Sequence, residues 1–164
     1  MTKIRFMRIA LAVLSTLILI GVALMIYVLV AFNNRNIIKI NIENGETQAV
    51  EFKKLDLIPG EECNYTLSLS SKVADEYDIL LVFRETEEHT LKDYARVRME
   101  SNGEVICDKL LAEMFTGNGI SLSFRLVKDR SEDIQITYYL PEDVGNEAQN
   151  AEAAFELLIT ASNE

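Results

Sequence analysis

The chain has no tryptophan, two prolines, two cysteines and a single histidine, His89. Zinc hydrolases need two or three His, Cys or carboxylate ligands, often as His-Glu-x-x-His, and a lone imidazole cannot supply that pattern. Ser-His-Asp or Cys-His catalysis would need the same imidazole beside a nucleophile motif, and the chain has no such motif. His89, in Glu85-Thr86-Glu87-Glu88-His89, reads as a solvated loop residue. No catalytic residue, cofactor or small-molecule substrate is expected.

Acidic residues are missing from the first part of the chain. All 26 Asp and Glu lie beyond residue 32, with 13 of the 16 Lys and Arg, so the remainder carries −13. Such a charge repels nucleic acid and anionic lipid alike. It reads first as a solubility device, with a basic partner as the sharper alternative.

One long apolar stretch is present. Ile9–Phe32 is 24 residues without a charge, interrupted by Ser15, Thr16 and Gly21 and preceded by Lys3, Arg5 and Arg8. At about 1.5 Å per residue it could cross a hydrocarbon core of roughly 30 Å. The basic flank places the N-terminus in the cytoplasm. A cleaved signal has an apolar core of about 7–15 residues and a small-x-small exit. Here Leu29-Val30-Ala31 puts a bulky residue at −3, and Ala23-Leu24-Met25 puts one at −1. The reading is a cytoplasmic stub over 1–8, a membrane-spanning signal anchor over 9–32 and an extracytoplasmic domain over 33–164. That domain would be secreted if the run were cut.

Past Phe32 the period is two. Ile38, Ile40 and Ile42 alternate with polar residues, as do Cys63, Tyr65, Leu67 and Leu69, which marks half-buried antiparallel strands. The same alternation recurs at Ala95, Val97 and Met99; at Ile120, Leu122, Phe124 and Leu126; at Ile134, Ile136 and Tyr138; and at Phe155, Leu157 and Ile159. Residues 79–83 are apolar on both faces and predict a central strand covered on both sides, following a connection over 71–78. Asn44-Gly45, Pro59-Gly60 and Asn102-Gly103 are turn signals. Leu110, Leu111, Met114 and Phe115 fit one helical turn. Eight or nine short strands with little helix predict an all-β, antiparallel two-sheet sandwich of jelly-roll-like or immunoglobulin-like type behind one N-terminal transmembrane helix.

Cys63 and Cys107 are the only pair for a disulfide, closing a loop of about 45 residues worth about 3–4 kcal/mol. A two-residue loop at Asn102-Gly103 sets Met99 opposite Ile106 and turns Cys107 outward. A one-residue bulge turns it back in, so a disulfide and two free thiols both stay open. Asp129–Asp133 and Glu142-Asp143 with Asn146-Glu147 are oxygen-rich calcium candidates, although neither follows the twelve-residue loop pattern. Solvated turns are the plainer reading.

Leu55-Asp56-Leu57-Ile58-Pro59-Gly60-Glu61 and the later Pro141-Glu142-Asp143-Val144-Gly145-Asn146-Glu147-Ala148-Gln149, behind a basic-flanked anchor, resemble the TasA/camelysin family of exported Gram-positive proteins. The resemblance implies a jelly-roll sandwich at the cell surface, in some members assembling into matrix fibres by strand donation. Camelysin-type members are described as metallopeptidases. It marks Pro59, Gly60, Pro141, Gly145, Asn146 and Gln149 as motif residues. Their own chemistry fits turns: Pro141 ends a strand, Gly145 permits unusual backbone, and Asn146 and Gln149 can satisfy turn groups. The expected function is a non-catalytic structural or interaction domain that meets protein partners, or copies of itself, through sheet edges. Asn36–Ile42 is the expected donor strand.

Overall fold

The computed structural model describes residues 14–28, 36–128, 130–145, 148 and 151–163, with backbone alone at positions 53 and 54. It divides into two compact units, Met1–Ile37 and Ile38–Glu164. In the first, residues 14–28 form an α-helix with every side chain exposed. Among the described residues no helix is long and apolar enough to cross a membrane. The expected span over 9–32 is therefore not shown, and residues 9–13 and 29–32 lie outside the described residues.

The described residues form nine strands, all within the second unit except for the first residue of β1: β1 Ile37–Ile42, β2 Thr47–Asp56, β3 Glu62–Ser71, β4 Asp75–Glu85, β5 Arg96–Ser101, β6 Glu104–Leu110, β7 Ile120–Leu126, β8 Ser131–Tyr139 and β9 Glu152–Ser162. A 3-10 turn, Leu91–Asp93, precedes β5, and a short helix, α1 Leu111–Thr116, follows β6. One sheet has the order β1-β3-β8-β5-β6 and the other β2-β9-β4-β7. The antiparallel pairs are nested: β5 with β6, β4 with β7, β3 with β8 and β2 with β9. This is the connectivity of a jelly roll, a long double strand folded over into two sheets. β1 lies outside the nest and adds an edge beside β3. Asn36–Ile42, the expected donor, thus has its strand residues in this chain's own sheet.

Alternation decides which side chains go inside. Ile40, Ile42, Leu67, Leu69, Val97, Met99, Ile134, Ile136, Tyr138, Phe155, Leu157 and Ile159 are all buried, as their period of two requires. Two bulges keep that phase. In β2 Phe52 faces Phe155 while Leu55 faces Ala153, so one extra residue lets both Phe52 and Leu55 point inward. In β6 Glu100 faces Val105 while Met99 faces Cys107, with Ile106 the extra residue. The Asn102-Gly103 loop itself is as expected, with φ of 52° and 80° and Ser101 opposite Glu104.

Three expectations need correction. β4 is not covered on both sides: Leu80 on its outer face is 36% exposed. β4 also begins at Asp75, so Tyr77, expected in a connection, is a buried strand residue. β8 begins at Ser131, and Ser131–Asp133, expected in a solvated turn, pair with Ser68–Ser70.

Gly119 enters β7 at φ +87°, where an added Cβ would lie 2.7 Å from the Leu81 carbonyl oxygen. Gly45 has a similar φ of +75° with nothing within 4 Å. Both Gly→Ala changes carry the left-handed backbone cost of about 1–3 kcal/mol. Gly119→Ala must also displace β4 backbone. Urea denaturation should show Gly119→Ala destabilised clearly more than Gly45→Ala; equal losses would refute the close approach.

Candidate functional site

The two motif stretches meet. Pro59-Gly60 forms a turn in which the Glu61 N–H donates to the Ile58 carbonyl at 2.9 Å and Gly60 takes φ +83°. The Gly60 N–H donates to the Leu140 carbonyl at 2.8 Å, and the Leu140 N–H to the Glu61 carbonyl at 3.1 Å. An added Cβ on Gly60 would approach Glu142 Cγ at 3.2 Å. The Val144 N–H closes a further turn onto the Pro141 carbonyl at 3.2 Å, and Ala148 is fully buried. Gly60, Glu61 and Leu140 thus extend the β3–β8 ladder, and Pro59 and Pro141 lie in the turns at its end. Gly145 is exposed, while Asn146 and Gln149 lie outside the described residues.

Cys63 and Cys107 are free thiols. The bulge does turn Cys107 inward, opposite Met99. Cys63 nevertheless sits on β3 and Cys107 on β6, with β8 and β5 between them. Three strand spacings amount to about 14 Å, twice the Cα separation that a disulfide tolerates. The disulfide is excluded by sheet order, a property that sequence spacing does not carry.

His89 is not solvated. Its side chain is 9% exposed, its Nε2 lies 3.0 Å from the Ala154 carbonyl oxygen, and its ring centroid is 6.0 Å from that of Phe115. Its Nδ1 is 3.9 Å from Glu85 Oε1, which also receives Lys92 Nζ at 2.7 Å. The imidazole joins the start of β9 to the loop after β4.

Asp129 lies outside the described residues. Glu132 and Asp133 line a groove of about 330 Å³ with Glu100, Asn102, Gly103, Ser131 and Gln135. Asp133 is engaged by Ser68 Oγ at 2.7 Å. Among the described residues no group of three His, Cys, Asp or Glu is placed to hold a metal ion.

The outer face of the five-stranded sheet carries a polar network absent from the sequence reading. Arg96 Nε donates to Asp108 Oδ1 at 2.9 Å and to the Tyr139 hydroxyl at 3.0 Å, and that hydroxyl donates to Asp108 at 2.9 Å. The Arg98 guanidinium lies 5.6 Å above the Tyr139 ring and ion-pairs with Glu100 at 3.2 Å. The β6 bulge sets Arg98 opposite Asp108, whereas an unbulged hairpin sets it opposite Cys107. The bulge is therefore what hid the cluster.

Inside, Tyr138 is fully buried and its hydroxyl has no hydrogen-bond partner. Burial, with a hydrogen bond to Cys63, pushes the neighbouring Tyr65 up to about 12, and burial raises Tyr138 as well.

No family model matches the chain, and no curated protein does. Among solved structures it is similar to the Aeromonas hydrophila PliG, a periplasmic lysozyme inhibitor of g-type lysozyme, at 10% identity. The match covers 77% of this chain and 98% of that one with a TM-score of 0.39, a likeness too slight to carry any functional argument.

Two outcomes follow from this geometry. Removing an unpartnered buried hydroxyl while keeping the ring is neutral or favourable, so Tyr138→Phe should hold or raise stability by about 1 kcal/mol in urea denaturation. A loss of more than that would show the hydroxyl to be bonded. Tyr65 titrates near 10 when unfolded and about 12 when folded. Its contribution is complete below about pH 10 and is lost as pH rises through about 12. The alkaline loss of stability should therefore be shallower in Tyr65→Phe; an unchanged profile would exclude Tyr65 as its source.

Proposed function

We propose that this chain is a non-catalytic extracytoplasmic interaction domain, related to the TasA/camelysin group and held at the cell membrane by residues 9–32. The observation that carries this reading is the filled interior. Inward positions of both sheets are taken by packed side chains such as Leu67, Leu81, Met99 and Leu157, each 0% exposed. Grooves of about 330–500 Å³ such as those lined by Glu100 and Asp133 or by Ala74 and Val127 lie open at the surface. A partner is then met on sheet faces and edges. The charge split supports the direction, with basic residues kept inside and a domain of −13 exported. The camelysin-like peptidase reading is weakened by His89, whose ring is held against Ala154 and Phe115 and has no second imidazole to join it.

The test is topological. External protease on intact cells should remove residues beyond about 33 and leave a membrane-bound N-terminal fragment, and the mature chain should begin at residue 1 or 2. A soluble mature protein starting near residue 32 would overturn the anchor.

A further inference from the structure

We propose that the free edge of β7 pairs with β7 of a second copy, antiparallel about a two-fold axis through Ser123. This rests on the reading of the domain as one that works through its surface and edges. Three of the four strands that end the sheets carry features that discourage pairing. β1 has Lys39, and its Asn41 carbonyl is occupied by Gln48 Nε2 at 2.8 Å. β2 is bulged between Phe52 and Leu55. β6 is bulged at Ile106 and carries Glu104, Asp108 and Lys109.

β7 has no bulge. It pairs with β4 without a shift from Asp75↔Leu126 to Leu81↔Ile120. It has no proline and one charge, Arg125. Ile120, Leu122 and Phe124 pack against the core yet are only half-buried, and among the described residues no strand lies beyond them in the sheet.

The sequence of β7 is complementary to itself. About Ser123, Ile120 meets Leu126 of the copy and Leu122 meets Phe124, all on the inner face. Ser121 meets Arg125 and Ser123 meets Ser123 on the outer face. Each matched pair keeps both residues on one face, and no like charges are directly opposed. Within its own sheet Arg125 lies opposite Glu76, and it also offers one local contact to a copy against the repulsion between two acidic domains. Arg125 is a cation at the rim of a domain of −13, and across the joint it lies diagonal to the copy's outer row, where Asp78 accepts from Ser123 Oγ at 2.5 Å. A seven-residue strand pair buries less than the roughly 1,000 Å² of a stable interface, so the pairing depends on the local concentration that a membrane tether supplies.

The experiment uses full-length chain in membranes and a short bis-maleimide, with wild-type protein setting the background from Cys63 and Cys107. Ser123→Cys should give dimer several-fold above that background, since the two positions meet at about 5 Å. Ser68→Cys, on the outer face of the other sheet, should not, and adding Arg125→Glu to Ser123→Cys should cut the dimer several-fold. Ser123→Cys at background, or Ser68→Cys equal to it, overturns the pairing. If external protease still reaches the sandwich in that case, only the dimer fails; a sandwich shielded from the protease counts against the exported reading as well.

Discussion

One aromatic layer sets the distance between the two sheets. Phe52, Phe83 and Phe155 come from β2, β4 and β9, and Tyr65 and Tyr138 come from β3 and β8 of the opposite sheet. Phe52 stacks on Phe155 at 4.8 Å and meets Tyr65 edge-on at 5.1 Å; Tyr138 reaches Phe155 at 5.5 Å. Such pairs contribute about 0.5–1.5 kcal/mol each beyond the area they bury. The layer also explains a cost. Burying the Tyr138 hydroxyl without a partner is worth about 1–3 kcal/mol against the fold, roughly what the burial of a ring of this size returns. The ring is kept for its shape, and the β2 bulge exists to bring Phe52 and Leu55 to this layer together.

The nested connectivity makes that layer a long-range construction. β5 and β6 meet through a two-residue loop, but β2 and β9 are joined only after the whole chain between them has folded back. The local signal Asn102-Gly103 can fix only the innermost pair. Outward from it, each register is held by the hydrophobic pattern of the strands themselves, because a one-residue slip would turn every inward side chain out. The bulges in β2 and β6 are places where the pattern could be kept only by adding a residue. Closing such non-local pairs is slow, which places a premium on strands that pair in one register only.

This explains what could be read from residues alone. Face assignment is a local property, so Ile40, Leu67, Val97, Ile136 and Phe155 were legible, as were the Asn102-Gly103 turn and the helical turn at Leu111–Thr116. Sheet order is not local, and it separates Cys63 from Cys107 by two strands although both point inward. A bulge is a single-residue decision between two nearly equal registers. That decision moved Asp108 to Arg98 and assembled the Arg96–Asp108–Tyr139 cluster, which no spacing announced. The ring of His89 is claimed by Ala154 and Phe115 from distant parts of the chain, of which its exposed neighbours Glu87 and Glu88 give no sign. Leu80 shows the converse: an apolar residue in an apolar run reads as covered, yet on the outer face of its sheet it is 36% exposed.

Edges and net charge belong to one argument. A sandwich cannot close its sheets as a barrel does, so it always ends in unpaired strands. Here Lys39, Gln48 and two bulges blunt three of them by local means, while β7 is left regular and half-apolar. In a neutral domain such an edge would recruit any extended chain. Between two copies that each carry −13, approach is resisted by a repulsion that acts over about 8–10 Å at physiological salt. An encounter must therefore gain enough in matched backbone and apolar pairs to overcome it. Between copies that filter disfavours partial registers more than the full one, so acidity restricts pairing at β7 to the matched register while leaving its backbone free to pair.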